Sequence, residues 1–164
     1  MRQLKTTSVQ PRELGYSPEG YRNPVPTTDL IIEYSNGAKE GIILIERLHY
    51  PFGIAIPGGF AEWGISLEAN AVKEAKEETG LEVKLLNPES PLCVHSDPKR
   101  DPRGHMISVA YIAQGFGELK AGDDAKKAEL YSIAEVKALL QHGEWAFADH
   151  KRIVEKYLQF RNYP

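Results

Sequence analysis

The sequence predicts a domain that mixes β-strands with a few α-helices, and three observations carry that prediction. Segments rich in β-branched and aliphatic residues recur at strand length, as in 27–34, 41–47 and 106–115. One segment, 67–79, has helical spacing between a good N-cap and a glycine stop. Further helical patterns appear near the C-terminal end of the chain. Strands therefore outnumber helices, and the two kinds of element are interspersed along the chain.

The bulk composition is that of an ordinary globular protein with one domain. The chain has 164 residues, of which 41% are hydrophobic and 26% charged. Glycines and prolines interrupt the first part of the chain, so we expect an N-terminal arm over residues 1–22 and a folded domain over residues 23–164. A net charge of −3 argues against a nucleic-acid-binding protein. The composition thus favours a small-molecule site.

The sequence also favours a cytoplasmic location. No apolar run approaches the roughly 18 residues that a membrane-spanning helix needs. The first fifteen residues lack the apolar core of a signal peptide. Cys93 is the only cysteine, so the chain can form neither an internal disulfide nor a multi-cysteine zinc site. These features suit a reducing compartment and predict no contact with a membrane.

The first half of the domain is predicted to be a hairpin followed by one helix. Residues 35–37, Ser-Asn-Gly, favour a turn between the strands 27–34 and 41–47, because Asn and Gly tolerate positive φ. A Gly- and Pro-rich stretch, 51–64, surrounds a short apolar piece. Ser66 is a good N-cap for the helix that follows.

The second half is predicted to contain further strands, two loops and two helices. The predicted strands cover 81–86, 91–95 and 106–115, and another begins near 128. A basic loop covers 96–105 and a polar loop covers 117–126. Helical spacing predicts two helices, over 134–141 and 150–160.

Three glutamates on the predicted helix 67–79 form a candidate metal site. At 100° per residue, Glu74, Glu77 and Glu78 fall within an arc of about 100°. Glu74 and Glu78 are four positions apart and repel each other, and a bound divalent cation removes that conflict. Carboxylate oxygens suit Mg²⁺ or Mn²⁺. The alternative is a solvated helix face in which Lys73 and Glu77 form an ordinary ion pair, and the glutamates alone favour this alternative.

The residues around the glutamates resemble the Nudix box. The segment 59–81, GFAEWGISLEANAVKEAKEETGL, has the family's spacing of glycine, five residues, glutamate position, seven residues, and Arg-Glu-apolar-x-Glu-Glu-x-Gly-apolar. Two positions depart from the pattern, since Ile65 replaces the first glutamate and Lys73 replaces the arginine. These two family residues commonly pair and support the geometry of the loop and helix. The departures leave open a weakened enzyme or a non-catalytic homologue.

The resemblance implies a fold and a metal site. The fold would be the Nudix α/β/α sandwich, a mixed β-sheet with the Nudix-box helix on one face and the C-terminal helices on the other. The metal ligands would be Glu74, Glu77, Glu78 and the backbone carbonyl of Gly58, with Glu77 and Glu78 also catalytic. The metal would be Mg²⁺ or Mn²⁺, which activates water for attack on a diphosphate.

Segments outside the box are similar to the ADP-ribose pyrophosphatase branch of the Nudix family; they are 22–34, 51–60, 96–105, 122–131 and 146–158. The resemblance implies hydrolysis of ADP-ribose to AMP and ribose 5-phosphate. The alternatives are a pyrophosphohydrolase acting on a nucleoside triphosphate or another nucleotide, and a Nudix-fold module that binds nucleotides without cleaving them. Family members often form homodimers, and the N-terminal arm is a plausible element for exchange between subunits.

Basic residues on one loop and one strand are candidates for binding the substrate. Arg100, Arg103 and His105 lie on the Pro-containing loop, and arginine suits phosphate because its hydrogen bonds are bidentate. The resemblance adds Arg47, at a position where many Nudix proteins carry a substrate-contacting arginine. The alternatives are local pairing of the loop arginines with Asp97 and Asp101, and an ordinary charge at the end of the strand for Arg47.

A general base and a surface for the adenine complete the predicted site. Asp123 and Asp124, with Glu129 behind them, are candidates for the base, because related enzymes often use an acid on a loop outside the box. The alternative is a solvated turn, since Gly-Asp-Asp is good turn chemistry. Aromatic side chains could stack on adenine, and the sequence does not choose among Tyr16, Tyr21, Phe52, Phe60 and Trp63.

Overall fold

The computed structural model describes residues 23–122 and 125–163, without the side chains of residues 125 and 126. The strands are β1 (Val25–Ser35), β2 (Glu40–Arg47), β3 (Ile54–Ala55), β4 (Gly58–Phe60), β5 (Glu82–Leu85), β6 (Cys93–His95), β7 (Met106–Phe116) and β8 (Ala125–Tyr131). The helices are α1 (Leu67–Thr79), α2 (Ile133–His142) and α3 (Ala148–Phe160). The proposed N-terminal arm, residues 1–22, lies outside the described residues.

The strands form one mixed sheet. Its central order is β3-β2-β1-β7-β5, with β4 paired to β1, β8 to β2 and β6 to β7. β1 and β7 are parallel, whereas the other strand pairs are antiparallel. β1 and β2 form the predicted hairpin, with Ile32 opposite Ile43. The long parallel contact makes β1 a central strand, and β4 extends along its first residues.

Helices cover both faces of the sheet, so the predicted α/β/α sandwich is confirmed. Because side chains alternate along a strand, neighbouring residues of β1 reach opposite layers. Leu30 packs in a cluster with Ala71 of α1, and Ile31 packs in a second cluster with Val136 of α2 and Ile153 of α3. All five side chains are fully buried. The three consecutive apolar residues of β1, Leu30 to Ile32, are therefore buried on both faces of the sheet.

Helix α1 begins and ends where the sequence predicts. The Ser66 side chain accepts a hydrogen bond from the Ala69 N–H at 3.2 Å. Gly80 adopts a left-handed conformation with φ of 70° and donates its N–H to the Lys76 carbonyl, which is the usual glycine stop. No helix in the described parts of the chain is long and apolar enough to cross a membrane.

The sequence did not predict β3, β4 or the first residues of β8, because these strands are defined by hydrogen bonds to a neighbouring strand. The Gly- and Pro-rich stretch 51–64 contains two short strands, β3 and β4, which are too brief to show an alternating pattern. Strand β8 begins at Ala125, earlier than predicted, because its pairing with β2 continues to Arg47 past an irregularity in register. Both differences follow from tertiary contacts that local sequence does not encode.

Candidate functional site

A cleft of about 740 Å³ opens beside α1 and brings together side chains from distant parts of the chain. Helix α1, strand β4, the loop before β7 and the start of α3 all contribute to its wall. Seven of the residues predicted to bind metal or substrate line it: Arg47, Gly58, Glu74, Glu77, Glu78, Arg100 and Arg103. Its size is typical of a site for a small molecule.

Glu78 is a buried carboxylate at the inner wall of the cleft. Only 6% of the residue is exposed. One carboxylate oxygen accepts a hydrogen bond from the Gly58 N–H at 2.8 Å. Burial raises the pKa of Glu78 to about 8; the nearby Glu74 and Asp29 add to this rise, while Gly58 and Arg47 oppose it. A carboxylate placed this way gains stability from a cation.

Glycines allow the glutamates and β4 to approach closely. A Cβ at Gly59 would lie 2.4 Å from a carboxylate oxygen of Glu74. A Cβ at Gly58 would lie 2.2 Å from the Thr28 carbonyl oxygen, and Gly58 has a positive φ of 158°. Position 58 therefore requires glycine, because a side chain there would meet backbone atoms, whereas a side chain at position 59 would displace the Glu74 carboxylate.

Buried Asn70 fixes the loop between β4 and α1. Its side-chain N–H donates to the Thr28 hydroxyl at 2.8 Å, and its side-chain oxygen accepts from the Glu62 N–H at 3.0 Å. The residue is fully buried. One amide thus links helix, loop and central strand. The sequence analysis did not identify Asn70, although a polar residue among apolar ones on a helix is a recognisable signal.

Glu77 is more exposed than Glu78 and pairs with Lys73. The Lys73 ammonium lies 2.6 Å from Glu77 and 3.1 Å from Glu62, and both carboxylates raise the pKa of Lys73. Lys73 therefore has two acidic partners in place of the family's usual pairing, and Ile65 lies partly exposed. In the residues that the structure describes, no three His, Cys, Asp or Glu side chains are close enough to form a complete metal-ligand set.

The raised pKa of Glu78 predicts how pH affects the metal-free protein. Between the ordinary value of 4.5 and about 8, the folded state holds a proton that the unfolded state releases. Rising pH therefore favours unfolding across this window. We expect the melting temperature in EDTA to fall more steeply with pH in the wild type than in Glu78→Gln, which has no proton to lose. Parallel pH profiles of the two proteins would contradict this expectation.

Two arginines share one aromatic ring. The guanidinium carbons of Arg47 and Arg103 lie 5.2 and 5.3 Å from the centre of the Phe147 ring, and Arg103 also lies 5.0 Å from the Phe60 ring. Arg103 makes two side-chain hydrogen bonds to Asp101. Burial, followed by the nearby Arg103, lowers the pKa of Arg47. The wall of the cleft therefore carries two guanidinium groups, of which Arg103 is paired with Asp101.

Arg100 makes a long-range buried ion pair. Its side chain is 4% exposed and contacts Asp149 at the start of α3, whose side chain is 5% exposed. One further nitrogen of Arg100 and one oxygen of Asp149 are buried with no hydrogen-bond partner. The alternative of local pairing on this loop thus holds for Arg103 with Asp101, whereas Arg100 attaches the loop to α3.

The remaining candidates fall outside the cleft or outside the described residues. The His105 ring is exposed, lies 3.2 Å from the Ser96 carbonyl oxygen, and is not among the residues lining the cleft. Glu129 lies beside Lys127 in a different pocket. Of the aromatic candidates, Phe60 and Trp63 line the cleft; Phe52 lies outside it, and Tyr16, Tyr21, Asp123 and Asp124 are outside the described residues.

Sequence reasoning also missed a buried polar group at the back of the cleft. Asp29 lies in the middle of β1 and receives a hydrogen bond from the Ser108 hydroxyl. His150, in α3, lies 3.4 Å from Asp29. Burial opposes ionisation of Asp29, but His150 and Ser108 together hold its pKa below the ordinary value. A charged residue directly before the apolar run Leu30 to Ile32 was the signal available in the sequence.

The fold and the cleft together are those of the Nudix class, and comparison with known proteins establishes the family. The model of the NUDIX domain matches residues 25–155. The chain therefore belongs to the Nudix family.

The chain is similar to two further relatives and to one solved structure. An ADP-ribose pyrophosphatase of Methanocaldococcus jannaschii is 44% identical over 87% of this chain and 78% of its own length. An ADPR-responsive transcriptional repressor of Acinetobacter baylyi is 33% identical over 60% of this chain and 40% of its own length. The crystal structure of a MutT/nudix family protein from Enterococcus faecalis is 30% identical with a TM-score of 0.66, covering 85% of this chain and 62% of that one. The chain thus spans less than two thirds of the repressor and of the Enterococcus protein.

Proposed function

We propose that the protein hydrolyses the diphosphate bond of ADP-ribose, giving AMP and ribose 5-phosphate, in a reaction that depends on a divalent cation. The observation that carries the proposal is the cleft, in which the carboxylates of α1 and the arginine pair Arg47 and Arg103 line the same space. The choice of ADP-ribose is supported by the 44% identity to the Methanocaldococcus enzyme over most of both chains.

Glu74, Glu77 and Glu78, with the Gly58 carbonyl, would hold Mg²⁺ or Mn²⁺. Buried Glu78 next to Glu74 supports this assignment, because two carboxylates in a poorly solvated place favour a hard cation. Glu77 would have to leave Lys73, which is a small obstacle because that pair is solvent-exposed. The bound ion would neutralise diphosphate oxygens and lower the pKa of a water molecule.

The arginines would bind the diphosphate. Both Arg47 and Arg103 contact the Phe147 ring and line the cleft, so a diphosphate bound there would meet two guanidinium groups. Arg103 is fixed in orientation by Asp101 and by two aromatic rings. A fixed guanidinium loses little conformational entropy on binding phosphate oxygens. Arg100 and His105 are weaker candidates for direct contact, since one is buried in an ion pair and the other lies outside the cleft.

The general base remains assigned to the Asp123–Asp124 pair, with Glu77 and Glu78 as the catalytic glutamates of the box. The neighbouring described residue supports this assignment. Gly122 donates its N–H to the Glu78 carbonyl at 3.0 Å, and a Cβ on it would lie 1.6 Å from the Glu77 carbonyl oxygen. The chain next to the two aspartates is therefore packed against the last turn of α1.

We further propose Trp63 as the surface on which adenine stacks. Its side chain lines the cleft and is 86% exposed, so the ring face is open to a ligand in the cleft. Stacking on a base is worth about 1 to 3 kcal/mol. Trp63→Ala should therefore raise KM for ADP-ribose roughly 5- to 150-fold with little change in kcat. Phe52→Ala is the matched control, because Phe52 is 67% exposed but lies outside the cleft.

Fluorescence gives an independent measurement of the same contact. The other tryptophan, Trp145, donates its ring N–H to the Leu139 carbonyl at 3.0 Å and lies outside the cleft. In Trp145→Phe, emission comes from Trp63 alone. We expect AMP to quench it and ribose 5-phosphate to leave it unchanged. Equal responses to both ligands, or unchanged KM in Trp63→Ala, would place the base elsewhere.

A substrate panel with Mg²⁺, resolved by chromatography of the products, tests the proposed function. ADP-ribose should give AMP and ribose 5-phosphate in equal amounts, and EDTA should stop the reaction. Turnover of a nucleoside triphosphate with ADP-ribose inert would favour the alternative pyrophosphohydrolase. Binding of ADP-ribose without turnover would favour a nucleotide-binding module, the alternative motivated by Ile65 and Lys73 and by the similarity to a repressor that responds to ADPR.

Homodimer formation through the arm and a cytoplasmic location stay predictions.

A further inference from the structure

We propose that His150 is a positioning residue that holds the backbone of β4 in place and, through it, the carboxylate of Glu78. The role of Glu78 as a metal ligand belongs to the function proposed above, and this inference rests on it. The structural part, a link from α3 to the Gly58 N–H, concerns the metal-free protein and stands separately.

The His150 ring bridges two elements. It lies in the first turn of α3 and is 3% exposed. Its Nδ1 accepts a hydrogen bond from the Ile56 N–H at 3.2 Å. A ring nitrogen that accepts carries no proton, so in the neutral ring the proton is on Nε2. Nε2 lies 3.4 Å from an Asp29 carboxylate oxygen, which fixes the orientation of the imidazole.

Asp29 is itself held from two sides. One oxygen faces His150 and the other accepts the hydrogen bond of the Ser108 hydroxyl on β7. Asp29 pairs with Gly58 in the β1–β4 ladder, and a Cβ on Gly58 would lie 2.7 Å from its carboxylate. The carboxylate therefore sits where α3, β7 and β4 meet, and it cannot turn without breaking one of these contacts.

A short, stiff piece of chain connects His150 to Glu78. Ile56 is two residues before Gly58, and Pro57 between them has its φ fixed by the ring. The Pro57 carbonyl accepts the Leu30 N–H at 2.8 Å. Gly58 then donates its N–H to Glu78 at 2.8 Å. A shift at Ile56 is thus transmitted to the donor that orients the buried carboxylate.

An apolar residue of similar volume would fill this position but could not replace the ring. Without an acceptor at Nδ1, the buried Ile56 N–H would lose its partner, which is costly inside a protein. Asparagine and glutamine at this position test the contact with Ile56 and the contact with Asp29 separately. The Asn side-chain oxygen occupies the place of Nδ1 and can accept from Ile56, whereas the Gln amide occupies the place of Nε2 and can reach only Asp29.

The test compares His150→Asn with His150→Gln by two readouts that need no substrate. The first is amide hydrogen exchange of Gly58 in the metal-free protein, taken relative to Leu44 in β2 so that changes in global stability cancel. The second is Mn²⁺ affinity, measured from the electron paramagnetic resonance signal of free Mn²⁺. We expect His150→Gln to speed the relative exchange of Gly58 and to weaken Mn²⁺ binding about 10- to 100-fold, the range usual for partners that orient metal ligands. The Mn²⁺ affinity of His150→Asn should stay within about threefold of the wild-type affinity, well below the loss expected for His150→Gln.

Val154→Ala is the matched control, because Val154 lies one turn further along α3, is fully buried and contacts the core away from the cleft. It should lower the melting temperature without changing either readout. If His150→Gln does not fold, Ser108→Ala weakens the hold on Asp29 and should give a smaller change in the same direction.

Three results would overturn the inference: unchanged readouts in His150→Gln, equal losses in the Asn and Gln variants, or the same losses in Val154→Ala. Failure of the proposed function would look different. The wild-type protein would then lack ADP-ribose turnover while the Gly58 exchange difference between the Asn and Gln variants persisted.

Discussion

Replacing Glu78 with glutamine should reduce ADP-ribose turnover by about a thousandfold or more while leaving the protein folded. Glutamine has the same shape and can still accept the Gly58 N–H, but it cannot provide the negative charge that binds a cation. A catalytic metal stabilises the transition state by several kcal/mol, and each 1.36 kcal/mol corresponds to about tenfold in rate. Activity would be followed by chromatography of AMP at saturating Mg²⁺.

The same substitution should not destabilise the metal-free protein. It removes a carboxylate whose ionisation is opposed by burial, so the melting temperature in EDTA near neutral pH should equal or exceed that of the wild type. Glu82→Gln is the matched control, because Glu82 is exposed at the start of β5 and lies outside the cleft. Retention of more than about a tenth of wild-type turnover by Glu78→Gln, against the thousandfold loss expected of a metal ligand, would show that catalysis does not depend on this carboxylate.

Replacing Arg100 with methionine should have the largest effect on stability. It leaves the Asp149 carboxylate, whose side chain is only 5% exposed, without its cation. Breaking a buried ion pair in this way typically costs about 3 to 5 kcal/mol. The free energy of unfolding, measured by urea denaturation, should fall by about that amount.

The double variant Arg100→Met/Asp149→Leu distinguishes a loss of stability caused by the broken ion pair from a loss of substrate binding by the loop. One nitrogen and one oxygen of the pair are buried without partners, so the pair is incompletely satisfied and two apolar side chains should restore most of the lost stability. Arg103→Met is the matched arginine, since its side chain is partly exposed and lines the cleft; it should raise KM more than it lowers stability. An Arg100→Met protein of normal stability with a raised KM would show that Arg100 contacts the substrate instead.

Local signals made α1 and most of β1 predictable, whereas the sandwich was implied by the resemblance to the Nudix family. Ser66 and Gly80 mark the helix ends through hydrogen bonds formed within a few residues, and the spacing of the three glutamates is a property of one helix. The predicted strand 27–34 forms most of β1, whose apolar run alternates between two helical layers. These features depend on neighbours in sequence, so one sequence is enough to find them.

The rest of the site depends on contacts between distant residues. The hydrogen bond from Ile56 to His150 joins positions 94 residues apart, and no local pattern encodes it. His105 was grouped with the loop arginines because it is close to them in sequence, yet the structure places it away from the cleft. Arg100 was expected to bind the substrate or to pair within its own loop, but its partner Asp149 is 49 residues away. Asp29 and His150 lie 121 positions apart, and nothing in the sequence indicated that their side chains meet.

A crystal structure with Mg²⁺ and a non-hydrolysable ADP-ribose analogue would test the central claim most directly. The metal should bind Glu74, Glu77 and Glu78, with Glu77 released from Lys73. The diphosphate should lie between that metal and the arginine pair Arg47 and Arg103, with adenine against Trp63. A metal bound away from α1, or a diphosphate outside the cleft, would contradict the proposed site and the function built on it.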